Sequence, residues 1–310
     1  MAGLLGALQG AAAQGVLWGI MVLGVYITFK LLNIADLTVD GSFALGGCVC
    51  AVLVSKKLVD PVTALFIATL AGVLAGAVTG ILHTVFEIPA ILAGILTQIA
   101  LWSVNLRIMG GKSNVPLLKE KTLISGFVDM TGLKQAQGSL IIGILVAVIM
   151  VALLYWFFGT EIGSALRATG NNEDMIRALG VDTRMTKLLA LMLSNGLVGL
   201  SGALICQHQK YGDVGMGTGA IVIGLAAIVI GEVLMGRLRS FYSKLSSAVV
   251  GSVIYFLIRA IVLQLGMNPN DMKLLSAVIV ALALCVPVAM AKYRLKTAYT
   301  ETAPKKEGGI

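Results

Sequence analysis

The chain has 310 residues, of which 58% are hydrophobic and only 12% charged, and its mean hydropathy is +0.95. Soluble domains carry roughly 25% charged residues, so water is excluded as the solvent for most of this chain, and no stretch remains for a separate soluble domain. The formal net charge of +8 is scattered over short loops and the tail, a distribution that suits membrane topology and implies no nucleic-acid partner.

No Lys or Arg precedes Lys30, so the basic start of a cleavable leader is missing, and the first apolar stretch is expected to stay in the mature chain. Apolar runs long enough to cross a hydrocarbon core of about 30 Å predict spans near 12–32, 42–57, 62–82, 88–108, 138–158, 187–207, 218–235, 246–265 and 274–291. The expected fold is all-α, a polytopic membrane protein of about eight to ten transmembrane helices over residues 1–292, with a basic tail at 293–310. The count is a range because the segment around 36–60 is short and glycine-rich and reads equally as a broken or re-entrant helix.

Early in that segment Asp36 and Asp40 flank a glycine-containing turn. An ionisable group at the bilayer centre costs about 2.5–3.5 kcal/mol on insertion scales, so each is a candidate site. Either Asp36, Thr38, Asp40 and Ser42 border the path of a transported solute, or they form an ordinary cytoplasmic turn with a helix cap. In the next spans Gly72, Gly76 and Gly80 recur every four residues, and Gly196, Gly199 and Gly202 are expected to mark one face of a later span. Small residues at such spacing let helix backbones approach closely. The fourth span carries Thr97, Gln98, Ser103 and Asn105, which either bond neighbouring helices or face a channel.

The loop at about 109–137, with Lys112, Lys119, Lys121 and Lys134, is long enough to fold over the outer face as a small structure. Gly111, Lys112 and Ser113 resemble the end of a phosphate-binding loop, but Leu106 stands where its first glycine belongs, so no ATP site is expected. The cysteines, Cys48, Cys50, Cys206 and Cys285, lie in or beside apolar segments without paired spacing and read as packing residues. His83 and His208 have no ligand-spaced companions, so neither metal binding nor catalysis is expected. Arg259 and Glu232 sit near span ends, where snorkelling, or a Glu232–Arg237 pair, accounts for them.

The polar interruption EIGSALRATGNNEDMIRALGVDTRMTK, from Glu161 to Lys187, stands out. Asn172 can cap a helix whose first turn holds Glu173 and Asp174 and whose last turn holds Arg177 before Gly180. A helix of about seven residues is marginal alone. Met175, Ile176 and Leu179 are expected to form one apolar face that docks into another protein or lies on lipid headgroups. With this segment in the cytoplasm, about thirteen of the 23 basic residues fall inside. These are Lys30, Arg167, Arg177, Arg184, Lys187, Arg237, Arg239, Lys244, Lys292, Arg294, Lys296, Lys305 and Lys306; the N-terminus is then outside and the C-terminus inside.

The string GSALRATGNNEDMIRALGVDTRMTKLLALMLSNGLVGLSGAL, residues 163–204, resembles the signature of the ABC permease family of branched-chain amino acid and ribose importers. Gly163, Arg167, Gly170, Asn172, Ala178 and Gly180 fall at its motif positions. NIADLTVDGSFALGG from Asn33 to Gly47 is similar to the turn after an early span in these permeases, and QKYGDVGMGTGAIVIGLAAIVIGE from Gln209 to Glu232 resembles a tryptophan or tyrosine importer subgroup.

The resemblance implies a bacterial inner-membrane permease whose segment at about 160–187 couples to a separate ATPase. The coupling residues would be Gly163, Arg167, Gly170, Asn172, Glu173, Met175, Ile176, Arg177, Leu179 and Gly180. It further implies ATP bound by the partner chain and no cofactor here, an extracytoplasmic substrate-binding protein, and a second permease copy as homodimer or heterodimer. The extra N-terminal span of ribose-type members is absent, and Glu232 follows Gly231 where many relatives have glycine, so an amino acid is expected rather than a sugar. An ion-coupled secondary transporter or channel fits the hydrophobicity equally well, but it would need buried carboxylates, which are scarce. A membrane enzyme would need a catalytic cluster, and none is visible.

Overall fold

The computed structural model describes residues 2–118, 120–236, 240–268, 271, 274, 276–282 and 285. Helix α1 (Ala2–Tyr26) continues into a π-helical turn, Ile27–Leu31, and stops where Asn33 enters the left-handed region at φ 58°, a conformation asparagine tolerates. An unwound stretch, 32–37, leads into α2 (Thr38–Ser55). Then come α3 (Pro61–Thr84), which starts on a proline whose fixed φ suits the first helical position, and α4 (Ala90–Ile108).

Strand β1 (Asn114–Pro116), α5 (Leu123–Thr131) and α6 (Gln135–Gly159) follow. Next are α7 (Glu161–Asn171), α8 (Glu173–Ala178), α9 (Thr183–Gln209), β2 (Tyr211–Asp213), α10 (Ala220–Met235) and α11 (Phe241–Gln264).

Among the described residues seven helices are long and apolar enough to cross a membrane: α1 with its π turn, α2, α3, α4, α6, α9 and α11. Helix α10 is apolar but shorter, at 16 residues. Eight of the nine expected spans therefore fall on helices. The ninth, 274–291, lies half outside the described residues, and 276–282 within it is helical. The 293–310 tail and Lys119, Arg237, Arg239, Lys292, Arg294, Lys296, Lys305 and Lys306 also lie outside them.

Helices α1, α2 and α9 form the centre, while α3, α4, α6 and α11 surround it and turn Phe66, Leu70, Ile99 and Trp156 outward. Since lipid is as apolar as these side chains, close backbone packing and interhelical hydrogen bonds must hold the bundle together. Ser194 and Ser201, seven residues apart on α9, donate to the carbonyls of Gly24 and Leu17, seven apart on α1, each at 2.8 Å. Ser252 of α11 does the same to Gly15 at 2.7 Å.

The two glycine stripes face each other. A Cβ on Gly72 or Gly76 would overlap the carbonyls of Asn195 or Leu191, and one on Gly199 would come within 2.9 Å of the Ala68 carbonyl. Gly196, Gly199 and Gly202 do not share one face as expected: the first two meet α3 and Gly202 meets Phe43 of α2. Each three-residue step turns an α-helix by about 300°, so the stripe drifts around α9 and seats α3 and then α2.

Successive spans alternate in direction, which gives the bundle two unlike ends. At one, β1 pairs antiparallel with β2, Leu117 N–H donates to Lys210 O at 2.7 Å, and Lys57 pairs with Glu120 at 3.5 Å. The loop at 109–137 does fold there into a small structure, with α5 started by a reciprocal Thr122–Ser125 capping pair. At the other end lie α7 and α8, the ion pair Arg184–Glu87 and the ion pair Lys30–Glu232, both 2.8 Å. Glu232 thus pairs with Lys30 across 202 residues, whereas its expected partner Arg237 lies outside the described residues.

Candidate functional site

The polar end is built from the α6–α9 connection. Thr160 ends α6 and caps α7 by accepting the Gly163 N–H at 3.3 Å. Gly163 is required because α7 folds back on α6: a Cβ there would overlap the Phe157 carbonyl. At the far end of α7 a Cβ on Gly170 would overlap the carbonyl of Leu31, so α7 rests directly on the π turn that ends the first span. Arg167, between them, stacks its guanidinium 5.2 Å from the centre of the Phe241 ring and donates to Ser164 Oγ at 3.4 Å. The eleven-residue helix α7 was not foreseen. Its signal was present in Thr160 followed by Leu166 and Thr169, which are buried on one side.

Asn172 ends α7 in an extended conformation and caps α8, its Oδ1 accepting the Met175 N–H at 3.0 Å. Gly180, at φ 84°, closes α8 in the left-handed region where a side chain would be strained. The expected short capped helix is therefore present, with six residues. Glu173 is its anchor: it accepts from Lys187 Nζ at 2.6 Å, Arg177 Nη2 at 2.9 Å and Thr183 Oγ1 at 3.1 Å. The hydrogen bond from Lys187 is the largest cause holding the Glu173 carboxyl below its ordinary pKa, with Thr183 and Arg177 adding to it against a smaller desolvation.

The apolar face divides, contrary to expectation. Ile176 is 6% exposed and packs inward, while Met175 and Leu179 are 51% and 71% exposed. Met175 and Leu179 are four residues apart and share one side of the helix, whereas Ile176 is rotated about 100° from Met175, toward the bundle. Two apolar side chains thus stand uncovered on a helix fixed by charge and caps.

The membrane-depth candidates occupy a different place. Asp36 is 2% exposed in the unwound stretch; its Oδ1 accepts the Thr38 N–H at 2.9 Å and its Oδ2 accepts from Asn195 Nδ2 at 2.7 Å. Ser42 donates to Asn195 Oδ1 at 2.7 Å, and the Thr38 and Thr79 hydroxyls bond at 2.7 Å. The network ties α2 to α9 through Asn195 and to α3 through the Thr38–Thr79 bond; sequence reasoning passed over Asn195 although it is an amide inside an apolar, glycine-striped span.

Asp40 lies in the first turn of α2 and accepts the N–H groups of Gly219 and Ile221 at 2.8 and 2.9 Å, capping α10. Both carboxylates are engaged by internal donors. Thr97 is buried and donates to the Ala93 carbonyl at 3.0 Å, and Gln98 is half-buried where α4 passes Gly41 of α2. The three buried cysteines are free, and among the described residues no group of three His, Cys, Asp or Glu could hold a metal ion.

Comparison with known proteins gives the chain a family. The family model for the permease component of the branched-chain amino acid transport system matches residues 7–286. The chain is 39% identical over 267 residues to the tyrosine transport system permease protein of Clostridioides difficile, covering 86% of each. It is 28% identical to the autoinducer 2 import system permease protein LsrC of Salmonella paratyphi B, covering 77% of this chain and 65% of that one. To the ribose import permease protein RbsC of Escherichia coli it is 24% identical, covering 86% and 81%. No solved structure matches the chain. With the model spanning nearly all the membrane helices, and permease subunits rather than enzymes among its relatives, the chain belongs to the family of permease components of branched-chain amino acid transport systems.

Proposed function

We propose that this importer permease passes an amino acid with an aromatic side chain into the cell, driven by an ATPase subunit that docks on α7 and α8. The observation that carries the reading is the uncovered pair Met175 and Leu179 on a helix locked by Glu173 and bounded by Asn172 and Gly180. Because α7 rests on the end of the first span through Gly170 and α8 is tied to α9 through Lys187, a push on this pair is delivered to the bundle. The similarity to a tyrosine transport permease along 86% of both chains supports the solute class.

In this reading the α7–α8 end and the C-terminus face the cytoplasm, the β1–β2 end receives solute from an extracytoplasmic binding protein, and two permease copies pair around the path in the inner membrane. ATP binds the partner subunit, and this chain needs no cofactor. Asp36, Thr38, Asp40 and Ser42 stand behind the wall of the path as a joint between helices, with Thr97 and Gln98 beside it on α4. An ion-coupled mechanism is less well supported, since both carboxylates at the start of α2 are already satisfied.

Arg177→Ala and Leu179→Glu, made in the full chain, test the docking. Co-purification with the ATPase is expected to fall by about tenfold for Leu179→Glu, as for a central contact residue, with membrane insertion unchanged. Undiminished co-purification of both variants would overturn the assignment.

A further inference from the structure

A cavity of about 470 Å³ opens between α1, α10, α11, the helical stretch 276–282 and the β2 end of α9, within the roughly 300–1,000 Å³ of small-molecule sites. Gln14, Trp18, Gln209, Tyr211, Thr218 and Arg259 supply its polar and aromatic lining, with Val222 and Ile223 adding apolar wall and no Asp or Glu present. A neighbouring cavity of about 370 Å³ shares Gln14 and Arg259. Two groups here lack partners. The Trp18 side chain is 6% exposed and its indole N–H has no acceptor. Arg259 lies within a membrane-spanning helix and has no ion pair or hydrogen bond among the described residues; its guanidinium only faces the Phe256 ring at 5.7 Å. Phe256 in turn meets Trp18 at 5.4 Å, so the cation and the unpaired donor stand side by side on one aromatic row.

Arg259 stands five residues from the end of α11, where it could reach the headgroups, yet its guanidinium turns onto Phe256 beside the cavity, and the buried Trp18 donor without an acceptor is unfavourable. An anionic oxygen ligand answers both, and no Asp or Glu is among the residues that line the cavity. We propose that this cavity is the solute's site within the permease, with its carboxylate held by Arg259 and the Trp18 N–H and its ring lying against Tyr211, Val222 and Ile223. The proposal rests on the importer reading above and names where that importer holds its cargo. The backbone at Gly219 forms part of the wall and is gripped by Asp40 at 2.8 Å, so a shift of α2 would move the wall.

The test uses the full chain in nanodiscs of zwitterionic lipid, with radiolabelled L-tyrosine as probe and tyramine, which lacks the carboxylate, as competitor. Saturable tyrosine binding that tyramine does not displace is expected. Arg259→Gln should weaken it by about tenfold or more, as for loss of a charged hydrogen bond, while Arg259→Lys retains part of it. Tyr211→Ala, at the rim, should weaken it independently of any folding defect in the span. Displacement by tyramine, wild-type affinity in Arg259→Gln, or a deficit that appears only when anionic lipid is present would overturn the proposal, the last by assigning Arg259 to a lipid phosphate. Absence of tyrosine binding to the wild-type chain would also overturn it, while leaving co-purification with the ATPase, and so the permease reading, untouched.

Discussion

Glu173 shows how one side chain converts a marginal turn into a rigid projection. A helix of six residues has too few internal bonds to persist alone, but three donors from α8 and α9 converge on this carboxylate. Because its folded pKa is depressed, the ionised form stabilises the fold. That contribution is complete above the ordinary carboxylate range and is lost as pH falls through the depressed folded value. Protection factors of the α8 amides, which remove the intrinsic pH dependence of exchange, are therefore expected to be flat through neutral pH and to fall in acid, whereas Glu173→Gln should be weakly protected at every pH. Equal protection in wild type and variant at neutral pH would deny Glu173 this role. Asn195 plays the corresponding part in the bundle, where one amide serves Asp36 and Ser42 at once and leaves neither polar group unpaired.

At the scale of elements, α3 and α9 share the most extensive seam, and it is made of absences. Glycine removes the side chains that would hold the backbones apart, leaving carbonyls of one helix against Cα atoms of the other. Gly76→Leu would force its new side chain into the Leu191 carbonyl, and overpacking of this kind costs about 1–3 kcal/mol or more. The expected result is a lowered unfolding temperature in detergent, while Gly6→Leu, where nothing lies within 4 Å, should be neutral. A Gly76→Leu protein as stable as wild type would mean the seam is looser than its geometry.

Across the whole molecule, the unlike ends make orientation measurable. A single cysteine at Leu179 is expected to react with an impermeant maleimide only after the inner face is opened, and one at Lys112 from outside intact cells. Labelling of position 179 from outside would reverse the importer and remove its site for the ATPase. Among the described residues the central helices α1, α2 and α9 take part in nearly all the long-range hydrogen bonds, while α3, α4, α6 and α11 present apolar sides. A pull on α7 through Leu31, or on α8 through Lys187, therefore enters the molecule at α1 and α9 rather than at its lipid-facing shell.

The run of spans, the short helix between Asn172 and Gly180 and the close-packing glycines were legible along the chain, because hydropathy, caps and spacing are local properties. So was the family, through residues 163–204. What no local pattern contains is partnership between distant residues. Glu232 meets Lys30, Asp36 meets Asn195, and Asp40 caps a helix that begins some 180 residues later. Ile176 turns inward while Met175 stays bare, and Trp18 and Arg259 are left facing one cavity without partners. Those pairings follow from which helices are neighbours and how each is rotated, and both were set only when all the spans packed against one another.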